Sequence, residues 1–305
     1  MADVIIVGTS GMLPLKNRFM CSAYVEHNGH AILIDCGEGT QMSMRKLGIR
    51  MHKIDCILIT HEHADHIMGI PGLLLSMSNG GRVEPVDIFY PAKAEQAIMG
   101  LMISCGGLQF KVRFNPLPND KPINFNYKVV DDRLVISTIV LRHSTVCLGY
   151  KLEFYRLPEF QPQKAKELNI PVQYYKFLHS GETVKLPDGR VIYPNQVLGE
   201  PRKPLTIVNM TDTLPFNDMV EFSRGADLLI AEGMYGDQSV KHDMNKKGHM
   251  LMQDACKLAS SAGVKKLFLT HYSPANTNPW QYKDELKHIF KNVVISSDGE
   301  STVIK

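Results

Sequence analysis

The chain has 305 residues, enough for one large α/β domain or two small ones. Hydrophobic residues make up 44% and charged residues 21%, an ordinary globular balance that supplies ample material for a core. The formal net charge of +3 tolerates an anionic partner without requiring one. No apolar run approaches the roughly 18 residues of a membrane-spanning helix, which excludes that class.

The beginning of the chain and its cysteines predict a cellular compartment. The first residues lack a basic segment followed by a long apolar stretch, so we expect no signal peptide. None of the six cysteines belongs to a C-x-x-C pair, and we interpret each as a small buried hydrophobic residue. Together these features predict a protein of the reducing cytoplasm.

Short β-rich runs alternate with helix-forming stretches in the first half of the chain. Runs that end in polar or glycine residues predict buried strands over 3–9, 30–37, 55–61, 85–91 and 131–144. Helices are predicted between them, over 39–50, 69–79 and 93–106. This alternation predicts an α/β fold.

Residues 155–204 differ in character from the rest of the chain. They include seven prolines and a predicted hairpin at 184–194, so we interpret them as an inserted, protruding arm. The α/β pattern returns after the arm. Strands are predicted over 204–213, 226–233 and 264–273, and a helix over 249–263.

Polar side chains cluster where the predicted strands end. His61–His66, His143, Asp212, Glu232 and His271 all close or follow such a strand. In α/β layers, ligand sites form at the carboxyl ends of strands. The pattern therefore predicts a functional site built from these residues.

The run HEHADH over 61–66 is the strongest of these signals. His61 and His63 alternate after a strand, so both imidazoles can project to one side. Asp65 and His66 follow in the turn and can face a second point nearby. Imidazole nitrogen and carboxylate oxygen are ligands that zinc, manganese and iron accept. Four ligands in six residues cannot all serve one tetrahedral ion without strain, so the order predicts two ions.

With this motif the sequence resembles a known family. H-x-H-x-D-H after a strand resembles the signature of the metallo-β-lactamase superfamily. Further stretches resemble the ribonuclease Z family of tRNA 3′-end processing endonucleases; they are LIDCGEGTQ (33–41), THEHADHIMGIPGLL (60–74), RHST (142–145), TDT (211–213) and LTHYS (269–273). The resemblance covers nearly the whole chain. It implies a single domain over 1–305 with the α/β metallo-β-lactamase architecture, an αβ/βα four-layer sandwich, in which 155–204 is a tRNA-gripping exosite.

The matching positions imply two metal sites. One ion would be held by His61, His63 and His143, the other by Asp65, His66 and His271, with Asp212 bridging them. Two zinc ions per chain are expected, with manganese as the alternative, and they would activate a hydroxide between them. Asp35 would orient a ligand histidine from behind, or else is a turn-forming aspartate.

The resemblance also assigns the proton transfers. Asp65 would accept a proton from the nucleophile. Glu232 and His249 match the Glu–His pair of the family, in which the carboxylate keeps the histidine protonated so that it can donate to the leaving 3′-oxygen. The alternative for this pair is a histidine at a helix start beside an unrelated acid.

The implied activity is cleavage of precursor tRNA on the 3′ side of the discriminator base, by a cytoplasmic enzyme that is a homodimer. The candidate RNA contacts are Lys16 and Arg18, in a loop similar to P-x-K-x-R-N, and Lys246 and Lys247 before His249. Residues 151–204 carry nine Lys and Arg against six Asp and Glu, which suits phosphate contacts or a solvated surface.

Several motifs depart from the family pattern. GHM (248–250) replaces H-S-T, Ala275 occupies the position of an expected phosphate-side arginine, Phe19 ends the P-x-K-x-R-N-like loop, and the arm lacks a Gly-Pro step. Two alternatives therefore stay open. One is a small-substrate phosphodiesterase, or an ester or thioester hydrolase, on the same dinuclear scaffold. The other is a protein that binds RNA without cutting it.

Overall fold

A computed structural model describes residues 1–305, except for the side chains of residues 244 and 245. The chain divides into two compact units. The first comprises Met1–Glu153 and Thr206–Lys305, and the second comprises Phe154–Leu205. No described helix is both long enough and apolar enough to cross a bilayer.

The first unit contains two seven-stranded sheets. The strands of the first sheet are β1 (Ala2–Gly8), β2 (Ser22–His27), β3 (His30–Ile34), β4 (Ile54–Leu58), β5 (Val86–Pro91), β6 (Val112–Leu117) and β16 (Ser301–Ile304). Their order is β16-β1-β2-β3-β4-β5-β6, antiparallel from β16 to β3 and parallel from β3 to β6. The carboxyl ends of the parallel strands therefore share one edge.

The second sheet has the same number of strands. They are β7 (Asn124–Asn126), β8 (Leu134–Arg142), β9 (Val146–Phe154), β12 (Leu205–Met210), β13 (Leu228–Glu232), β14 (Leu267–Thr270) and β15 (Val293–Ile295). Their order is β15-β14-β13-β12-β9-β8-β7, and the four strands from β12 to β15 are parallel.

Helices cover each sheet, and each sheet forms a separate hydrophobic core with its own helices. The first sheet packs with α1 (Thr40–Lys46), α2 (Ala64–Ile67), α3 (Ile70–Asn79) and α4 (Glu95–Met102). The second packs with α7 (Asp218–Ser223), α9 (Met252–Ala262) and α10 (Lys283–Ile289), and α8 (Lys241–Lys246) precedes α9. All six cysteines are free and buried, as predicted from their spacing.

Hydrogen bonds join the two sheets near the ends of their strands. The backbone N–H of Leu148 in β9 donates to Thr60 O at 2.9 Å, and the Tyr150 hydroxyl donates to Ile59 O at 2.6 Å. The segment after β4 is thereby attached to the second sheet. This attachment brings the loops at the carboxyl ends of both sheets to one place.

The second unit has a small core of its own. It contains α5 (Pro162–Glu167), α6 (Tyr175–His179) and the hairpin of β10 (Val184–Lys185) and β11 (Val191–Ile192). Its buried apolar side chains are Ala165, Ile170, Leu178, Val184, Leu186, Ile192 and Val197. The hairpin predicted at 184–194 is confirmed.

The predicted strands and helices of the first unit are confirmed in type, with shifted ends. The helix predicted over 93–106 is shorter, because a 3₁₀ turn (Ala92–Ala94) precedes Glu95–Met102. Several elements of this unit were not predicted, namely the strands β2, β6, β7, β9, β15 and β16 and the helices α2, α7, α8 and α10. β2 carries a serine and a glutamate in six residues, and the apolar pattern of β9 is broken by Gly149, so neither has a clear apolar run.

Candidate metal centre

Loops that follow strand ends position all the predicted metal ligands. His61, His63, Asp65 and His66 follow β4, the last two within α2, and His143 follows β8 directly. Asp212 follows β12 and His271 follows β14. Glu232, which is not a predicted metal ligand, is the last residue of β13. His61, His66, Asp212 and His271 are each at most 1% exposed.

Three histidines direct nitrogen atoms to one point. His61 Nε2 lies 3.0 Å from His63 Nδ1, and His143 Nε2 lies 3.2 Å from the same atom. A second group lies beside it, with Asp65 Oδ2 at 3.5 Å from both His66 Nε2 and His271 Nε2. The structure thus brings together the two ligand groups that the sequence predicted.

The carboxylate of Asp212 lies between these groups. Its Oδ2 is 3.8 Å from the Nε2 atoms of His61 and His143. Its Oδ1 is 3.5 Å from His66 Nε2 and 3.2 Å from His271 Nε2. Each oxygen faces a different ligand group, which is the arrangement of a bridging carboxylate.

The donor set fits divalent ions of the zinc type. Ligands around a tetrahedral ion with bonds of about 2.1 Å lie about 3.4 Å apart, close to the separations given above. His66 Nε2 and His271 Nε2 are buried and have no hydrogen-bond partner among the described residues. Buried polar atoms without partners are rare and costly, so these nitrogens are consistent with lone pairs reserved for an ion.

Hydrogen bonds behind the ligands set their orientation. His66 Nδ1 donates to Asp35 Oδ2 at 2.8 Å, and His143 Nδ1 donates to Gly248 O at 3.0 Å. Asp35 also accepts the Thr60 N–H at 2.8 Å and is 2% exposed. Binding Nδ1 in this way leaves Nε2 free to face the centre. Burial lowers the pKa of His61 well below its usual value, which keeps its imidazole neutral.

The predicted Glu–His pair is present beside the ligands. His249 Nδ1 donates to Glu232 Oε2 at 2.8 Å, and Glu232 is fully buried. The other Glu232 oxygen accepts the Thr213 N–H at 2.6 Å, which holds the carboxylate in place. Burial lowers the pKa of His249, but the charge and hydrogen bond of Glu232 outweigh it and raise the pKa to about 9.

The backbone around the centre is strained at the ligand-bearing turns. Met12, Asp35, Asp212 and His271 have positive φ, and they are four of the six such non-glycine residues in the described chain. Left-handed backbone costs energy in residues with a Cβ, and it concentrates at functional sites. Gly11 permits one close approach here, because a Cβ on it would lie 2.6 Å from the His271 ring.

Five of the seven candidate ligands line a cleft of about 300 Å³, whose walls are Met12, His63, Asp65, His143, Ser144, Asp212, Met234, Tyr235, Lys247, His249 and His271. Lys247 is the candidate RNA contact that lines it, whereas Lys16 and Lys246 are exposed elsewhere on the surface. Arg18 turns inward; it is 8% exposed and donates through Nη2 to Asn276 O at 3.0 Å.

Comparisons with known proteins identify the family. A family model described as "Anti-Pycsar protein Apyc1" matches residues 2–114. Ribonuclease Z of Lachnoclostridium phytofermentans is 38% identical over 305 residues, covering 100% of this chain and 98% of that protein. Ribonuclease Z of Agathobacter rectalis is 38% identical over 301 residues, covering 99% and 97%. The chain belongs to the ribonuclease Z family.

Solved structures agree with this assignment at the level of the fold. Human tRNase Z, short form, superposes with a TM-score of 0.70 at 22% identity, and 99% of each chain is covered. The metallo-β-lactamase fold protein YhfI of Bacillus subtilis superposes with a TM-score of 0.67 at 20% identity, covering 99% of this chain and 98% of that one. The predicted metallo-β-lactamase architecture and the family resemblance are both confirmed.

Four cleft residues were not predicted from the sequence, namely Met12, Ser144, Met234 and Tyr235. Tyr235 lies three residues beyond Glu232, in the segment EGMYGD. This closeness in sequence to a predicted site residue was the one signal that could have identified it. Met12 had no such signal, because it reaches the centre by donating its N–H to Asp65 Oδ2, 53 positions along the chain.

The position of Asp212 leads to a prediction about metal content. Replacing it in Asp212→Ala removes an oxygen from each ligand group, so the protein should retain less of both ions. Metal analysis of the purified protein after gel filtration measures this, with Asp218→Ala, an exposed acid in α7, as the matched control. Wild-type metal content in Asp212→Ala would contradict the bridging arrangement.

Proposed function

We propose that this chain is a metal-dependent endoribonuclease that cuts precursor tRNA on the 3′ side of the discriminator base and leaves a 3′-hydroxyl. The observation that carries the proposal is the joint placement of two ligand groups, a shared Asp212 and the Glu232–His249 pair around one cleft. The relatives at 38% identity over the full chain bear the name ribonuclease Z, which supports the same reading.

The metal ligands of this proposal are His61, His63, His143, Asp65, His66, Asp212 and His271. Two zinc ions per chain match the nitrogen and oxygen donors, and manganese accepts the same set. Bound divalent ions would supply Lewis acidity and a water deprotonated near neutral pH. Asp35 supports this role because it bonds the rear nitrogen of His66.

Two side chains of the cleft handle protons in the proposed reaction. Asp65 accepts the proton of the attacking water, since its carboxylate is half-buried at the cleft wall. His249 donates to the leaving 3′-oxygen from its cleft-lining ring, while Glu232 holds its Nδ1. A donor is required because an alkoxide is a poor leaving group at neutral pH.

Positive side chains would bind the phosphates of the RNA. Lys247 lines the cleft and supplies a cation although Ala275 replaces the expected arginine. Exposed Lys16 and Lys246 would contact the backbone at more distant phosphates. Arg18 is buried and would act indirectly, by holding its loop in place through the hydrogen bond to Asn276 O. Within a fold spanning 1–305, residues 155–204 would be the arm that grips tRNA.

We further propose a cytoplasmic homodimer. Its support is the family resemblance, together with exposed Met42 in α1 and Met68 after α2, which are 55% and 50% exposed. Light scattering on the metal-loaded protein should give twice the 34.3 kDa chain mass. A mass equal to one chain at micromolar concentration would contradict the dimer.

A second candidate is a phosphodiesterase for smaller substrates on the same centre. Ala275 in place of the expected arginine favours it, as do GHM (248–250) in place of H-S-T and Phe19 at the end of the P-x-K-x-R-N-like loop. The same ligands and the same His249 would serve such a substrate. The two candidate functions would then differ in the size of the substrate that the protein binds.

The first test is cleavage of a precursor tRNA that carries a 3′ trailer, with zinc or manganese added and Asp212→Ala as control. We expect a single cut beside the discriminator base, absent in the variant. A bis-aryl phosphodiester is assayed in parallel. Turnover of that diester with intact tRNA would contradict the tRNA assignment and favour the second candidate.

His249→Ala separates proton donation from metal chemistry. RNA cleavage should fall by about 10² to 10⁴-fold, because the 3′-oxygen leaves poorly without a proton. Hydrolysis of bis-p-nitrophenyl phosphate should fall far less, since nitrophenolate leaves unprotonated. Equal losses on both substrates would argue against His249 as the acid.

The pH profile of Glu232→Gln gives a second measurement of the same assignment. The acid must be protonated, so activity is lost as pH rises through its pKa. Because Glu232 raises that pKa, its replacement should move the alkaline limb of kcat to lower pH. If the alkaline limb of the profile does not move, it reflects the titration of a group other than His249.

A further inference from the structure

One aromatic side chain lines the cleft, and the proposed chemistry does not use it. Tyr235 is half-buried and lies beyond β13, three residues after Glu232. It belongs to the same cleft wall as Met234, while Met12 contributes a third apolar side chain. Metal ligation and phosphate binding need polar atoms, so these three side chains suit a different, flat and apolar part of the substrate.

Hydrogen bonds hold both the backbone and the side-chain hydroxyl of Tyr235 in place. Its carbonyl accepts the Met252 N–H at 2.9 Å, within a short parallel β-bridge to Leu251. Its hydroxyl accepts a hydrogen bond from Ser273 Oγ at 2.5 Å, two residues beyond the ligand His271. Because the ring is already positioned, a ligand that packs on it loses little free energy in ordering the side chain.

These contacts place Tyr235 beside the proposed acid. Its bridge partner Leu251 lies two residues from His249, and its hydroxyl partner follows His271. The group that His249 would protonate belongs to the nucleotide on the 5′ side of the scissile phosphate. Since His249 and Tyr235 line the same cleft, the base of that nucleotide would lie within reach of the Tyr235 ring.

Met12 provides an adaptable apolar surface for the same cleft. It is 57% exposed, and its position is tied to the centre because its N–H donates to Asp65 Oδ2 at 2.8 Å. Thioether side chains pack well against aromatic rings. A nucleobase offers two aromatic faces, one for a ring and one for such a side chain.

We propose that Tyr235 is a substrate-binding residue whose ring stacks on the nucleobase immediately 5′ of the scissile phosphate. The inference rests on the nuclease function proposed above and adds the substrate group that this wall binds. Base stacking on an aromatic side chain is sequence-tolerant, because every base has a π-face. The wall would accordingly recognise the presence of a base rather than its identity.

The test combines a protein change with a substrate change. Precursor tRNA is prepared with either a normal or an abasic nucleotide 5′ of the scissile phosphate, and kcat/KM is measured for wild type, Tyr235→Leu and Tyr235→Phe. With wild type, the abasic substrate should lose about 5- to 150-fold. Tyr235→Leu should lose a similar factor on the normal substrate and nothing further on the abasic one. Tyr235→Phe keeps the ring and should keep the abasic penalty.

A purely structural role gives a different pattern. If Tyr235 only supports the loop, Tyr235→Leu lowers both substrates equally and the abasic penalty persists, which overturns the proposal. Melting temperature and metal content are measured for each variant. If Tyr235→Leu does not fold, Tyr235→Met replaces it, since it fills the same apolar space without a ring.

A binding measurement keeps this proposal separate from the proposed function. An RNA trinucleotide containing 2-aminopurine is titrated with wild type and Tyr235→Leu, and stacking is read as fluorescence quenching without any cleavage. Quenching by wild type alone supports the stacking wall even if precursor tRNA is not cut. Equal quenching by both proteins, or none by either, overturns the stacking proposal. The proposed nuclease function is then still decided by the cleavage assay.

Discussion

The two oxygens of the Asp212 carboxylate face different groups of imidazole nitrogens, at 3.8 Å on one side and 3.2 to 3.5 Å on the other. A carboxylate that is 1% exposed is costly to bury without compensating charge. Cations bound on both sides, as proposed above, would supply that compensation. The strained backbone at Asp212, with φ of 38°, is a further cost that the surrounding fold must support.

The two sheets supply that support by bringing strand ends together. The first sheet contributes the His61–His66 segment, and the second contributes His143, Asp212 and His271. Backbone and side-chain hydrogen bonds from β9 to the residues after β4 join the two contributions. Because ligand distances must hold within a few tenths of an ångström, a centre built on rigid strand ends is better positioned than one built on free loops.

Glu232 connects the metal centre with the proposed proton donor. It is fully buried, accepts from His249 at 2.8 Å, and lies 3.9 Å from the Nδ1 atom of the ligand His271. One carboxylate thus influences both an acid and a ligand. Tyr235, three residues later in the chain, then forms the apolar wall beside that acid. Under the two proposals, the end of β13 and the short segment after it would combine an electrostatic and a stacking contribution in one place.

The sequence by itself determined the fold class, the family and the local ligand cluster, because HEHADH and the other motifs are contiguous and their chemistry needs no distant partner to be recognised. It also predicted that Asp35 stands near a ligand histidine. Only the tertiary structure decided that Met12 donates to Asp65, that Arg18 turns inward to Asn276, and that Tyr235 lies in the cleft. Those contacts join segments far apart in the chain, and their geometry follows from sheet packing, on which local sequence patterns carry no information.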